Sequence, residues 1–134
     1  MLETGEMPVS RAYYKLKEAL LWSGIQVREG DVCAEIGSAP GGACQLLLEL
    51  GAQVIAIDPA PLDSEVAEHE NLTFIRRRGR EVKKRELADV RWLLADLNIA
   101  PNYTLDTVEE IVSSKRVNPR GMLLTLKLDR KSVV

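Results

Sequence analysis

The chain places its most chemically suggestive residues in one stretch: Glu35-Ile36-Gly37-Ser38-Ala39-Pro40-Gly41-Gly42, with Asp58 closing the apolar run that follows. An acid beside a strand end, a glycine-rich turn opening a helix and a second acid at the end of the next strand form an arrangement that holds an adenosine-bearing cofactor. Glycines let the ligand approach the backbone, and the second acid accepts hydrogen bonds from ribose hydroxyls. The turn is neither GxGxxG nor GxxxxGK[ST], so the signatures of nicotinamide enzymes and nucleotide triphosphatases are both missing. Glu35 would sit badly beside a diphosphate but suits a sulfonium and an amino group, which points to S-adenosylmethionine. Glycine-rich turns also occur wherever a strand meets a helix tightly, so the turn and Asp58 alone support only an adenosine cofactor.

The surrounding pattern supplies the elements that must position these residues. Ser10 to Gly24 reads as a helix, with Ala12, Leu16, Ala19 and Leu20 near helical spacing, Ser10 in N-cap position and Gly24 at the end. Val32 to Ile36 is a short apolar strand, Ala43 to Leu50 a helix, and Gln53 to Asp58 a second buried strand, which implies a parallel pair with a right-handed crossover. Leu72 to Ile75 and Val90 to Asp96 read as further strands, separated by a weak helix around Val82 to Ala88. Leu105 to Ser114 is expected to be a helix capped by Thr104, with Glu109 and Glu110 suiting its dipole, and Gly121 to Leu128 a fifth strand. The predicted fold is therefore an open, doubly wound, mainly parallel α/β sheet, Rossmann-like, in a single domain over residues 1–134. An N-terminal helix over 9–24 precedes a cofactor-binding core over 31–128.

Composition narrows the class of protein. With 134 residues, 18 Lys and Arg against 20 Asp and Glu, and a net charge of −2, the chain is not a polybasic protein that holds nucleic acid by charge everywhere. No run approaches the roughly 18 apolar residues of a membrane span, and Met1 to Ser10 has no apolar block, so a cytoplasmic address without membrane attachment is expected. Cys33, Cys44 and the single histidine, His69, form no paired ligand spacing, so no metal site is expected and both cysteines should be reduced and largely buried. Near-neutrality hides a dipole along the chain. Asp58 to Glu70 holds five acids and no Lys or Arg, whereas Arg76 to Arg85 holds seven bases against Glu81, a local charge of +6. Such a run is either a solvated face or a phosphate-binding patch.

From Ser10 to Leu128 the chain resembles the FtsJ-like ribose 2′-O-methyltransferases. The resemblance is carried in family order by Ser10-Arg-Ala-Tyr-Tyr-Lys15-Leu, the GSAPGG turn, Val54-Ile-Ala-Ile-Asp58, Trp92-Leu-Leu-Ala-Asp96-Leu-Asn and Leu124-Thr-Leu-Lys127-Leu. It implies an enzyme that uses S-adenosylmethionine to methylate an RNA ribose 2′-hydroxyl, most commonly in ribosomal RNA. The family's catalytic Lys-Asp-Lys-Glu set falls on Lys15, Asp96 and Lys127, with Glu35, Gly37, Ser38, Ala39, Pro40, Gly41, Gly42 and Asp58 as cofactor residues. The chemistry fits these types, because methyl transfer from a sulfonium needs an oriented hydroxyl and a route for its proton. Lys127 would end an apolar strand, where desolvation and the Lys15 ammonium both favour a neutral amine, so it is the candidate general base. Asp96 would orient the lysines and the hydroxyl, while its charge opposes the neutral form of Lys127.

With RNA as the substrate, the charge run makes Arg11, Arg76, Arg77, Arg78, Arg80, Lys83 and Lys84 the candidate RNA-binding residues, with Arg116 or Arg120 as further contacts. Two departures stand out. Where the family places an acid for the cofactor adenine, this chain has Arg76-Arg77-Arg78-Gly79-Arg80, and arginine cannot accept a hydrogen bond from an adenine amine. The family also continues past the fifth strand to a final catalytic glutamate, whereas this sequence ends at Val134 and reads as C-terminally incomplete. Strand 121–128 would then be an uncovered apolar edge, and self-association through it is expected. The competing reading is a catalytically weak or inactive RNA-binding or assembly domain that keeps the methyltransferase fold. A base or small-molecule methyltransferase fits less well, because Ala100-Pro-Asn-Tyr103 lies beyond Asp96 and lacks the second proline of the NPP[YF] motif.

Overall fold

A computed structural model gives the structure of the protein and describes residues 7–96 and 101–125. Five strands, β1 (Val32–Ile36), β2 (Gln53–Ile57), β3 (Leu72–Ile75), β4 (Trp92–Asp96) and β5 (Gly121–Thr125), pair in the order β3-β2-β1-β4-β5. Every pairing is parallel. The apolar runs read from the sequence are thus the sheet, with β1 at its centre and β3 and β5 at its edges. Parallel pairing puts every strand's C-terminal end on one rim, where the glycine-rich turn, Asp58, Arg76 and Asp96 all emerge.

Alternation along β1 divides the core into two layers. Cys33 joins Val54, Ala56 and Leu94 on one face, beneath helices α1 (Ala12–Ser23) and α2 (Gly42–Glu49) and the short α3 (Ser64–Ala67). Ala34 and Ile36 join Ile57, Leu93 and Ala95 on the other, covered by Val82, Leu87 and Val90 of the β3-to-β4 crossover and by Val108 and Ile111 of helix α4 (Pro101–Ser113). At the opposite rim, Asp31 bolts the sheet. Its Oδ2 accepts the Trp92 indole N–H at 3.0 Å and the Arg28 amide at 2.9 Å, and Arg91 lies 3.6 Å from Oδ1. Burial alone would raise the Asp31 carboxyl, but these donors and the nearby arginines hold it below its ordinary value.

Several local expectations change. Ser10 does not cap α1: Arg11 occupies the cap position in helical conformation without a side-chain bond, and the Ser10 hydroxyl is buried without a partner. It is held against Gly42, where a Cβ would fall 2.2 Å from Ser10 Oγ and 2.9 Å from the Tyr13 backbone nitrogen. Packing between α1 and α2 has won over capping. The expected helix over 82–88 is instead two 3₁₀ turns, Gly79–Glu81 and Lys84–Leu87, whose first amides Arg78 and Lys83 donate to Glu81 and Glu86. Helix α4 begins at Pro101 rather than after Thr104, using proline where a helix needs no N–H. Glu109 and Glu110 consequently lie in its second half, where Glu110 pairs with Lys84 at 3.5 Å instead of serving the dipole. Strand β4 starts at Trp92 rather than Val90, and residues 126–128 of the expected fifth strand lie outside the described residues.

Candidate active site

The glycine-rich turn leaves the centre of the sheet at Ile36. The Gly37 and Ser38 amides both donate to the Ile57 carbonyl, at 2.8 and 3.3 Å, which draws the turn over the end of β2. Gly41 adopts φ +120°, a conformation that side chains resist, and begins α2 with no side-chain cap. Leading N–H groups of a helix have no intrahelical partner, so this end of α2 favours a carboxylate or other anion. Ser38 is 4% exposed and its hydroxyl is buried with no protein partner. An uncapped helix start and an orphaned hydroxyl in one turn fit the carboxylate and amino end of an amino-acid-bearing cofactor.

Asp58 stands where the sequence predicted, just past β2. Its Oδ2 accepts the Ala39 amide at 3.0 Å and its Oδ1 accepts the Ala60 amide at 2.8 Å, so it organises both adjoining turns. A carboxylate has about four acceptor sites, and these two bonds leave capacity for ribose hydroxyls. The residues present therefore fit S-adenosylmethionine at the ribose and amino-acid ends. At the expected adenine end, Arg76 Nε donates to the Pro59 carbonyl at 3.1 Å and Arg77 pairs with Glu86 at 2.7 Å. Both arginines are engaged in local structure there.

Glu35 is 6% exposed and lies on the layer of α1 and α2, where its Oε1 accepts the Cys44 thiol at 3.1 Å. It lines a cavity of about 20 Å³ with Ala12, Lys15 and Leu16 of α1, Ala43 of α2, Leu94 and Ala95 of β4, and Leu123 of β5. That is room for one group the size of a water or an ammonium. Lys15 and Glu35, some twenty positions apart in the chain, thus meet in one small, mainly apolar space beside the strand ends. Asp96 enters as the backbone position that closes β4, paired with Thr125 of β5. Lys127, two positions further along, lies outside the described residues.

The basic run is divided by the fold. Arg76 to Arg78 follow β3 at the site rim, whereas Arg80, Lys83 and Lys84 ride the crossover on the layer opposite α1. Arg78 and Lys83 are exposed there. Arg11 is exposed at the start of α1, one turn before Lys15. Arg116 and Arg120 precede β5 and stand at the far rim, so they do not join the site. Among the described residues no group of His, Cys, Asp and Glu can hold a metal, and no helix is long and apolar enough to cross a membrane.

Sequence reasoning missed the Cys44 contact to Glu35 and the anchoring of α1 through Tyr13. That ring is buried, its hydroxyl donates to Glu49 at 2.8 Å, and burial followed by the Glu49 contact pushes its phenol up to about 12. The helical position of Cys44 in the first turn of α2 was the available signal. Both cysteines are free and buried, as expected, with burial pushing the Cys33 thiol up to about 12.

An open parallel sheet with this turn on its central strand is the architecture of the Rossmann-like methyltransferases. A crystal structure described as a ribosomal RNA methyltransferase from Plasmodium falciparum superposes with a TM-score of 0.68, at 20% identity, over 92% of this chain and 80% of that one. The chain belongs to the FtsJ-like methyltransferase family, whose model matches residues 8–131. Ribosomal RNA large subunit methyltransferase M of Thauera aminoaromatica is 30% identical over 128 residues, covering 91% of this chain and 34% of that protein. Ribosomal RNA large subunit methyltransferase E of Thermoplasma acidophilum is 44% identical over 54 residues, covering 40% of this chain and 26% of that protein. The chain therefore spans about a quarter to a third of the length of these curated relatives.

Proposed function

We propose that this chain is the cofactor-binding core of an S-adenosylmethionine-dependent methyltransferase that modifies a ribose 2′-hydroxyl of RNA, with ribosomal RNA as the substrate class. The observation that carries the reading is the meeting of Lys15 and Glu35 in one cavity beside the glycine-rich turn and the ends of β4 and β5. Family membership and the ribosomal RNA methyltransferase relatives support it. Bound S-adenosylmethionine would supply an electrophilic methyl group on a sulfonium. Asp58 accepts the ribose hydroxyls, the turn from Gly37 to Gly42 with the Ser38 hydroxyl receives the amino-acid end, and Glu35 accepts from its amino group. Lys15 holds the acceptor ribose, Asp96 orients the hydroxyl, and Lys127 takes the proton at its Nζ. Arg11, Arg76, Arg78, Arg80 and Lys83 bind phosphates along the rim and crossover, with Arg77 reaching them only if it leaves Glu86 and Lys84 only if it leaves Glu110. The reaction belongs in the cytoplasm, with the ribosome's own RNA.

The test is transfer of a radiolabelled methyl group to in vitro transcribed ribosomal RNA, followed by digestion to nucleosides. Label in a 2′-O-methyl nucleoside is expected; label in a base-methylated nucleoside overturns the ribose assignment. A second reading, an RNA-binding domain without turnover, is favoured by the engaged Arg76 and Arg77 at the adenine end. Calorimetric titration separates the two, since absence of cofactor binding at millimolar ligand selects the second.

A further inference from the structure

Glu35 is the acid that the proposed function assigns to the cofactor's amino group, and its carboxylate is not free to choose an orientation. It shares its small cavity with Lys15 and Leu16 of α1, Ala43 of α2 and Leu94 and Ala95 of β4, and it touches Cys44 of α2. A buried carboxylate needs hydrogen-bond donors, and each donor also fixes the plane of the group. Cys44 supplies one from the first turn of α2: its thiol is fully buried and lies 3.1 Å from Glu35 Oε1. Burial first, and then the charge and hydrogen bond of Glu35, push the thiol far above its ordinary range, so it keeps its proton and remains the donor. The same helix begins at the glycine-rich turn, so the thiol ties the carboxylate to the element that carries the rest of the cofactor site.

We infer that Cys44 is a positioning residue: its thiol holds one oxygen of Glu35 so that the carboxylate is presented to the amino group of the cofactor's methionine part. This rests on the proposed cofactor and goes beyond it by adding a residue that never touches the ligand. Nothing about the sulfur's reactivity is involved, because the role needs a hydrogen-bond donor of the right reach and not a nucleophile. It therefore separates from packing, which Cys44 also contributes.

Calorimetry with two ligands isolates the role. S-adenosylhomocysteine carries the amino-acid part, whereas methylthioadenosine has the same nucleoside and sulfur without it. Cys44→Ala is expected to weaken S-adenosylhomocysteine binding about tenfold and to leave methylthioadenosine binding within about twofold of the native chain. Cys44→Ser, which keeps a donor, restores most of the loss, and Cys44→Val, which fills the space without one, does not. Valine also provides the comparison should the alanine variant unfold. Equal weakening of both ligands, a valine variant that binds like the native chain, or a serine variant as weak as alanine each overturns the inference. Failure of the native chain to bind S-adenosylhomocysteine at all instead overturns the cofactor reading, and the inference with it.

Discussion

Substituting Gly42 by alanine probes the contact that fixes α1, and with it Lys15, over the sheet. The new methyl would lie 2.2 Å from Ser10 Oγ, 2.9 Å from Tyr13 N and 3.0 Å from the Ser10 carbonyl oxygen. Ordinary contact needs about 3.4–4 Å, so the shortest approach must open by more than an ångström. Turning the Ser10 hydroxyl away relieves one contact, but the other two are backbone, so α1 itself must move off α2. Overpacking of this kind costs about 1–3 kcal/mol, which for a chain of 134 residues lowers the melting temperature by roughly 3–15 °C. Displacing α1 by even 1 Å also misplaces Lys15, and misplacements of that size can cost about 100-fold in turnover. Thermal unfolding measures the first effect and single-turnover methyl transfer the second. Ser10→Ala alone should be nearly neutral, because the hydroxyl has no partner to lose, and combined with Gly42→Ala it should recover part of the stability. A Gly42→Ala variant that melts within about 1 °C of the native chain would refute the close approach of the two helices.

Four further outcomes are expected. Asp31→Ala removes acceptors of the Trp92 and Arg28 N–H groups and should cost about 1–3 kcal/mol near neutral pH by urea unfolding. Because its folded pKa is depressed, that stabilisation is fully present above the ordinary carboxylate value of 3.8 and fades as pH falls through the lower folded value, so a constant difference at all pH contradicts the account. Asp58→Ala should raise the dissociation constant for S-adenosylhomocysteine at least about tenfold, and unchanged affinity would take Asp58 out of the site. Lys15→Ala and Lys127→Ala should each abolish methyl transfer while leaving cofactor affinity intact; retained turnover in either removes that lysine from the chemistry. Light scattering at micromolar concentration should find self-association through β5, an edge of the sheet among the described residues, and a clean monomer argues against it.

The parallel sheet was legible because each strand is a short apolar run bounded by turn residues, and parallel strands buried on both faces read that way. The turn and Asp58 were legible for the same reason: their places follow from strand ends. Contacts between distant residues were not. Ser10 looked like a cap because capping is a local rule, and only the approach of α2 shows why its hydroxyl turns inward. Arg77 read as a free base until Glu86 appeared beside it, and the single helix expected over 82–88 dissolved into two 3₁₀ turns once Glu81 and Glu86 took up backbone amides. The union of Lys15 with Glu35 depends on how α1 crosses the sheet, which neither residue's neighbours encode.

Trp92 has a use of its own. Its indole is tied to Asp31, lies beneath Arg91 at 5.6 Å, and fills the space above Gly121, where a Cβ would approach the ring to 2.7 Å. The other tryptophan, Trp22, is 90% exposed on α1. The chain thus carries two tryptophans in contrasting surroundings. In a Trp22→Phe background, emission reports directly on whether β5 is seated against β4. Docking of the strand that leads to Lys127 can then be followed by light alone, in that single-tryptophan variant and without a label.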